Sequence, residues 1–411
     1  MTIVTNNMAD ARAPRLLIDL NNIFRKDPNI DEYDILPVVE ATHNRSPFFV
    51  ENHKLGVEAW AVKLLVKYCA NRLIGWRGQN SSEKCLDPVE VSHLSRAVLL
   101  FNPDNYTAWN IRKELIESGY LSIKDDLSFG VLIISKHPKS PETFIHRRWL
   151  FQQLLDHCLS SSSGSNSSSC SNVPGPNMEV TATVESIDLD LNEPTETGFF
   201  NGAFSLEASR LLKTQTHLEL DVCATAAERY PCNYHAWSHR IWIVKYCLNC
   251  SLQILLKELK STEKWTSTHI SDHSGFHYRQ FLLTEIHARN DRFSSLHSQN
   301  STDLFVKEMV FVRDLIDTYP GHEALWYHRR FVFQSLLRPE HLELSARCCH
   351  LHPRNGHAPA CNEVDQNFKT IKSFLAAQEI ESVTTKEASC SHKYNQMYCK
   401  KFVQWIQNSF L

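Results

Sequence analysis

One recurrence constrains this chain more than any other feature: a Pro, an aromatic residue six positions on, and an Arg three positions after that. The copies are Pro103/Trp109/Arg112, Pro138/Phe144/Arg147, Pro231/Trp237/Arg240 and Pro320/Trp326/Arg329. A further copy, Phe276/Arg279, has Ile270 in the Pro place. In a helix, the aromatic at i and the Arg at i+3 share a face with residue i+7. That residue is Ile116, Phe151, Val244, Leu283 or Phe333, apolar in every copy. Upstream of each Pro stand the pairs Val98/Leu99, Ile133/Ile134, Ala226/Ala227 and Leu315/Ile316. Each unit therefore reads as an apolar helix, a break, and a second helix with an aromatic–Arg face. Pro suits the break because it lacks an N–H and disfavours helix in the residue before it.

Stacked units of this kind predict an all-α fold, an alpha-alpha superhelix like the tetratricopeptide solenoid of helical hairpin repeats. The first two aromatics lie 35 residues apart, the length of a two-helix repeat, and the later gaps of 93, 39 and 50 call for insertions. The largest is 159–203, which contains SSSSGSNSSSCSNVPGPN and reads as disordered. A smaller one surrounds Asn290 to Thr302. Helical periodicity also covers Asp10 to Lys26 and Asn52 to Leu73, the latter with Trp60 and Lys63 as a degenerate copy of the aromatic–Arg pair. Two more helices are expected near Asp365 to Gln378 and His392 to Asn408, with a loop between His350 and Pro359. No strand-like alternation bounded by hairpin signals is apparent. The expected division is 1–87 as N-terminal helices, 88–350 as repeats interrupted by 159–203, and 351–411 as a C-terminal loop and helices.

Composition narrows the function classes. The 411 residues carry a formal net charge of −3 with basic residues scattered, which is no footprint for nucleic acid or a membrane surface. No run of 18 apolar residues occurs, so no membrane insertion is expected. The N-terminal MTIVTNNMADARAPR has no apolar core of a secretory signal, and a cytoplasmic location is expected. The 13 cysteines, an odd number, then read as reduced thiols.

An active site occurs once, whereas the repeat Arg occurs in every unit. Arg112, Arg147, Arg240, Arg279 and Arg329 therefore read as structural, each stem packed on an aromatic and each guanidinium bound to a helix end or carboxylate nearby. Departures from the repeat are better candidates. The breaks read PDNYTAW, PKSPETF, PCNYHAW, SDHSGF and PGHEALW. Lys139 is the only Lys in them, and Asn233-Tyr234-His235 is the only run joining an amide, a phenol and an imidazole. Stacking could bring these neighbouring breaks to one edge, where such donors suit an oxyanion or a diphosphate. The plainer alternative is a solvated Lys and an Asn that caps its helix. Cys247 and Cys250 have metal-like spacing but no second pair, and His322 and His328 do not form His-Glu-x-x-His. No metal site is expected in the chain.

The segment PCNYHAWSHRIW is similar to the repeat of protein prenyltransferase alpha subunits, Pro-x-Asn-Tyr-x-x-Trp-x-x-Arg, and the resemblance runs from about residue 90 to about residue 335. Asn-Arg-Ser-Pro at Asn44, Leu-Gly-Val-Glu-x-Trp at Leu55 and Ser-Pro-Glu-Thr-x-Ile-His-Arg-Arg-Trp at Ser140 extend it toward the geranylgeranyltransferase members. The resemblance implies a crescent of helical pairs around a separate beta subunit, that of the Rab geranylgeranyltransferase. No cofactor is implied in this chain, because zinc and most of the isoprenoid pocket belong to the beta subunit. The implied reaction moves a geranylgeranyl group from its diphosphate to a C-terminal Cys of protein substrates, a SNARE among them. By residue match, Lys139 takes the catalytic Lys position, and Asn233, Tyr234 and His235 take the Asn-Tyr-His run at the prenyl diphosphate. A Tyr two residues after the Lys in farnesyltransferase-type relatives is Pro141 here. The competing expectation is a non-catalytic helical-repeat scaffold for a protein or peptide partner.

Overall fold

Helical hairpins form where a short polar side chain follows each break. Asn105, Ser140, Asn233 and Asp272 stand two positions after the Pro place, and each accepts a hydrogen bond from the N–H three residues on. Such N-caps satisfy donors that the first helical turn leaves unpaired. In the fifth copy the turn is Pro320-Gly321-His322, and Gly321 takes φ +92°, a conformation that costs a glycine little.

The structure is a computed structural model and describes residues 12–41, 46–78, 86–160, 203–290, 301–338 and 361–411. Helices α1 (Arg12–Lys26) and α2 (Ala59–Gly78) precede the array. Hairpins follow in order: α3 (Pro88–Phe101) with α4 (Tyr106–Glu117), α5 (Ile123–Lys136) with α6 (Pro141–Ser160), and α7 (Ala203–Arg229) with α8 (Tyr234–Tyr246). Next come α9 (Leu252–Thr268) with α10 (His273–Asn290), α11 (Ser301–Thr318) with α12 (Glu323–Leu336), and α13 (Cys361–Ser389) with α14 (Lys393–Phe410). The fold is the alpha-alpha superhelix that the repeat predicts. The insert at 159–203 lies almost wholly outside the described residues, as do Asn44 and the 350–359 loop.

Apolar positions named from the sequence form the core. Val98, Leu99, Ile133, Ile134, Ala226, Ala227, Leu315 and Ile316 are buried, as are Trp109, Phe144, Trp237, Phe276 and Trp326. Phe151, Val244, Leu283 and Phe333 are buried too, while Ile116 is half-buried. Full burial of a side chain of this size contributes roughly 1.5–3 kcal/mol.

Polar groups in the core follow a second pattern. Each repeat Arg reaches a carboxylate on the first helix of the next hairpin. Nε donates at 2.7 Å from Arg112 to Asp126, Arg147 to Glu219 and Arg240 to Glu258, at 2.8 Å from Arg279 to Glu308 and at 2.9 Å from Arg329 to Glu379. Nη1 of the first four donates to the carbonyl 20 residues earlier, at Ser92, Leu127, Leu220 and Leu259 in the Arg's own hairpin. The residue just before the next Arg then closes on the same carboxylate: His146 on Asp126, His239 on Glu219, Tyr278 on Glu258 and His328 on Glu308. The repeat Arg residues thus tie each hairpin to the next. The result is a ladder of Arg–carboxylate–His/Tyr groups through the middle of the stack.

Its ends are marked. In the first hairpin the carboxylate and His places hold Val91 and Ile111, both fully buried, and among the described residues no repeat Arg precedes them. In the last, Glu379 receives Arg329, but buried Cys399 stands where His would, followed by exposed Lys400. The sequence-expected copy around Trp60 is not one of the rungs, because Lys63 is exposed to solvent. Gly130 is where the ladder needs room, since a Cβ there would sit 2.6 Å from Arg147 Nη1.

Two expectations are corrected at the N-terminus. Residues 52–58 are not helix, and the mostly helical fold also carries three short strands for which no strand-like pattern was apparent. Strands β1 (Glu32–Leu36), β2 (Phe48–Glu51) and β3 (Lys54–Glu58) form a sheet in the order β1-β3-β2. β3 runs parallel to β1, with Tyr33 opposite Leu55, and antiparallel to β2. Asn52 and His53 turn the hairpin with φ of 49° and 62°, the positive values a two-residue type I′ turn requires. These strands of four or five residues are too short to show an alternation distinct from helix, and their turn lacks the usual Gly. Tyr33 donates to the carbonyl of Leu100, and Lys136 pairs with Asp34, which fixes the sheet to the array.

Losing one member of a rung strands the others. Burial alone would raise the Glu219 pKa, but Arg147 and His239 outweigh it and hold the carboxyl near about 2. Glu308 is likewise brought to about 2 against burial by His328 and Arg279. We expect Glu219→Ala, measured by denaturant unfolding, to destabilise the chain by about 3–5 kcal/mol. Removal of the exposed partner Asp31 from Lys54 should leave the unfolding midpoint almost unchanged. Because these carboxyls have folded pKa values below the unfolded value of 4.5, their contribution is complete above pH 4.5 and lost as pH falls toward about 2. His239 acts in the same direction. Burial, its largest influence, keeps it below 6.5, so acid weakens the rung from about pH 6.5 downward.

Candidate functional site

The breaks that hold Lys139 and Asn233-Tyr234-His235 are stitched together. Asn233 caps α8 by accepting from the Ala236 N–H, and its Nδ2 donates to the carbonyls of Pro138, at 2.6 Å, and Ala226, at 3.0 Å. The side chain is fully buried and its amide hydrogens are engaged inside the fold. Asn233 is therefore placed as a cap and a tie between turns, not at the rim, which is the plainer of the two sequence expectations. Its bond to Pro138 fixes the position of the next residue, Lys139.

Around this tie the other three residues share a neighbourhood. Lys139 is exposed, with Nζ 4.7 Å from the ring centroid of Tyr230 at the end of α7. Tyr234 opens α8 and is 60% exposed, so its hydroxyl is free to meet a ligand. His235, half-buried, stacks edge-on against Tyr234 with centroids 5.7 Å apart. Burial holds the His235 pKa below its ordinary 6.5, and the charge of Lys139 lowers it further, with a smaller push from Arg148. Asp104 opposes them, but its carboxylate accepts from the Ser140 hydroxyl at 2.7 Å. Pro141 sits at the first position of α6, where its fixed φ suits the helix, and offers no hydroxyl.

What gathers here is an ammonium, a phenol and an imidazole on one rim, with a guanidinium, Arg148, at its base. Arg148 was not singled out by sequence. The signal lay in the doubled Arg of HRRW, the second of which follows a repeat Arg. Together these groups can bind an anion and place a positive charge against a leaving oxygen.

The weaker candidates are absorbed by the fold. Cys247 is the C-cap residue of α8 and Cys250 is buried beyond it, and burial pushes their thiols up to about 12 and about 11. His322 accepts or donates at Ser271, 2.7 Å away, and His328 is a ladder residue. Among the described residues, no three His, Cys, Asp or Glu side chains converge to hold a metal ion, and no helix is long and apolar enough to cross a membrane.

Comparison with known proteins agrees with this architecture. The protein prenyltransferase alpha subunit repeat matches residues 93–119, 217–247, 255–286 and 305–336, hairpins that contain four of the five repeat Arg residues. "Protein prenyltransferase alpha subunit repeat-containing protein 1" of Homo sapiens is 41% identical over 78% of this chain and 76% of its own length. Its counterpart in Danio rerio is 38% identical over 79% of this chain and 72% of its own. "Geranylgeranyl transferase type-2 subunit alpha" of Bos taurus is 22% identical over 63% of this chain and 37% of its own.

The rim's electrostatics can be read directly. In Lys139→Gln the His235 pKa should rise toward 6.5, because a like charge is removed while burial stays. An NMR titration of the imidazole measures it, and an unmoved pKa would place Lys139 away from His235.

Proposed function

Because the chain belongs to the protein prenyltransferase alpha-subunit repeat family, we propose that it is the alpha subunit of a heterodimeric protein geranylgeranyltransferase. In this reading a beta subunit, that of the Rab geranylgeranyltransferase, supplies the zinc and most of the isoprenoid pocket. The chain supplies the rim of Lys139, Tyr234 and His235 to the diphosphate of the prenyl donor. The observation that supports it is the Asn233–Pro138 tie, which brings two breaks 95 residues apart to one edge.

The chemistry asked of this rim is modest. A Cys thiolate at the C-terminus of the acceptor protein attacks C1 of the isoprenoid, the C1–O bond breaks, and diphosphate leaves. Negative charge grows on the bridging oxygen as that bond stretches. An ammonium aimed at it lowers the barrier, because the interaction is stronger in the transition state than in the bound substrate. Lys139 fills that role. Its stacking on Tyr230 gives up little when a phosphate oxygen arrives, since an exposed cation–π contact contributes only about 0.5–1 kcal/mol. Tyr234 and His235 donate to the phosphate oxygens. Relatives with a Tyr at the place of Pro141 have one donor more, so this rim relies more heavily on the residues that remain.

Co-expression with candidate beta subunits, followed by co-purification and an isoprenoid-transfer assay on proteins ending in Cys, tests the assignment. We expect Lys139→Ala to lower the transfer rate on the order of 10²–10³-fold, as loss of one preorganised oxyanion donor does. Unchanged turnover in that heterodimer removes Lys139 from the site. A chain that stays alone and idle with every beta subunit is instead a binding scaffold.

A further inference from the structure

In two hairpins the residue just after the repeat Arg faces the ladder residue of the next hairpin. Gln280, after Arg279, places its amide nitrogen 3.4 Å from Nδ1 of His328, and Arg148, after Arg147, directs Nε at Nδ1 of His239 over the same distance. Both rings meet their carboxylate through Nε2, so with the proton on Nε2 the Nδ1 lone pair is left to accept from a donor. Where the ladder residue is Tyr278, which has no ring nitrogen, the corresponding position is apolar Ile241. A neutral amide thus meets the structural need at Gln280. The guanidinium at 148 brings a charge that the ladder does not use.

That charge is also uncompensated. The other cations in this place, Lys113 and Arg330, lie over aromatic rings: Lys113 is 5.7 Å from the Trp149 centroid and Arg330 is 4.9 Å from that of Trp405. Arg148 has neither ring nor carboxylate among the described residues. Apart from His239, its one partner there is the Ser238 hydroxyl, to which Nη2 donates at 3.1 Å, and Nη1 has none. It is half-buried between α6 and α8. Tyr234 is among the groups that feel its charge, and it adds to the charge of Lys139 on His235. A guanidinium held partly out of water with no counterion favours an incoming anion, and its planar fork suits phosphate oxygens.

We propose that Arg148 is a fourth group of the anion rim, binding the phosphate end of the prenyl donor beside Lys139, Tyr234 and His235. This rests on the prenyl-diphosphate reading of the rim. The assignment makes Arg148 a bifunctional residue, with Nε positioning the His239 tautomer and Nη1 available to substrate.

Calorimetric titration of inorganic pyrophosphate into the full-length chain tests it. Arg148→Gln copies the Gln280 arrangement, keeping a donor for His239 and removing the charge. The expected result is an unfolding midpoint equal to the parent's and pyrophosphate binding about tenfold weaker, the loss of one charge-assisted hydrogen bond. Parental affinity in Arg148→Gln together with weakened binding in Lys139→Gln overturns the role of Arg148 and leaves the rim standing. Weakened binding in Arg148→Gln alone supports Arg148 and removes Lys139 from the anion site. Absence of pyrophosphate binding by the parent chain overturns both. If Arg148→Gln fails to fold, Arg148→Lys decides. Weaker pyrophosphate binding once the planar fork is lost, at a parental unfolding midpoint, supports the assignment, and parental affinity overturns it.

Discussion

The structure depends on charge pairs that have been taken out of water. The first four Arg residues of the ladder each bond their own first helix through a carbonyl and the next hairpin's first helix through a carboxylate. Desolvating such a pair offsets much of what their attraction contributes, so the ladder adds little to net stability compared with apolar burial of the same volume. What it fixes is register. A hairpin shifted by one residue would leave a guanidinium, a carboxylate and an imidazole unpaired at once. Apolar faces alone tolerate such slips, and the buried polar rungs do not.

The same rungs explain how the array passes its interruptions. Arg147 and Glu219 are 72 residues apart, yet their bond has the geometry of the Arg240–Glu258 rung, whose partners are 18 apart. The stacking that carries Lys139 toward Tyr234 is therefore set by the hairpins and not by the chain between them. The candidate site is a by-product of the repeat. Its rim residues occupy the same break positions as caps and turn residues elsewhere, and differ from them only in the side chain exposed.

Much of this was legible in the sequence because the repeat states it several times. The aromatic–Arg spacing gave the hairpins, their core faces and the structural duty of the Arg residues. The partners of those Arg residues were less visible, since a lone Glu219 or Glu258 in a helix looks like any surface acid. Only alignment of the units shows each carboxylate 20 residues before its His or Tyr. The last hairpin was expected as two helices but not as a ladder member, because Cys399 and Lys400 replace the pair that marks the others. The sheet was missed altogether. Val57 and Leu55 point inward from a strand of five residues, too few turns of either periodicity to separate helix from strand. At the site, Lys139 and Tyr234-His235 stood out by being unlike their counterparts, and Asn233 stood out for the wrong reason, as a cap with a second task. Arg148 was hidden by its neighbour, the Arg that belongs to the repeat.

Val91 and Ile111 at one end, and Cys399 with Lys400 at the other, give the units an order that cannot be shuffled. A hairpin moved from the middle to the front would present an acid with no basic neighbour to receive it. One moved to the back would carry a guanidinium into solvent with nothing to grip. The stack is thus a sentence with a first and a last word, and another copy of the chain cannot continue it by matching rung to rung.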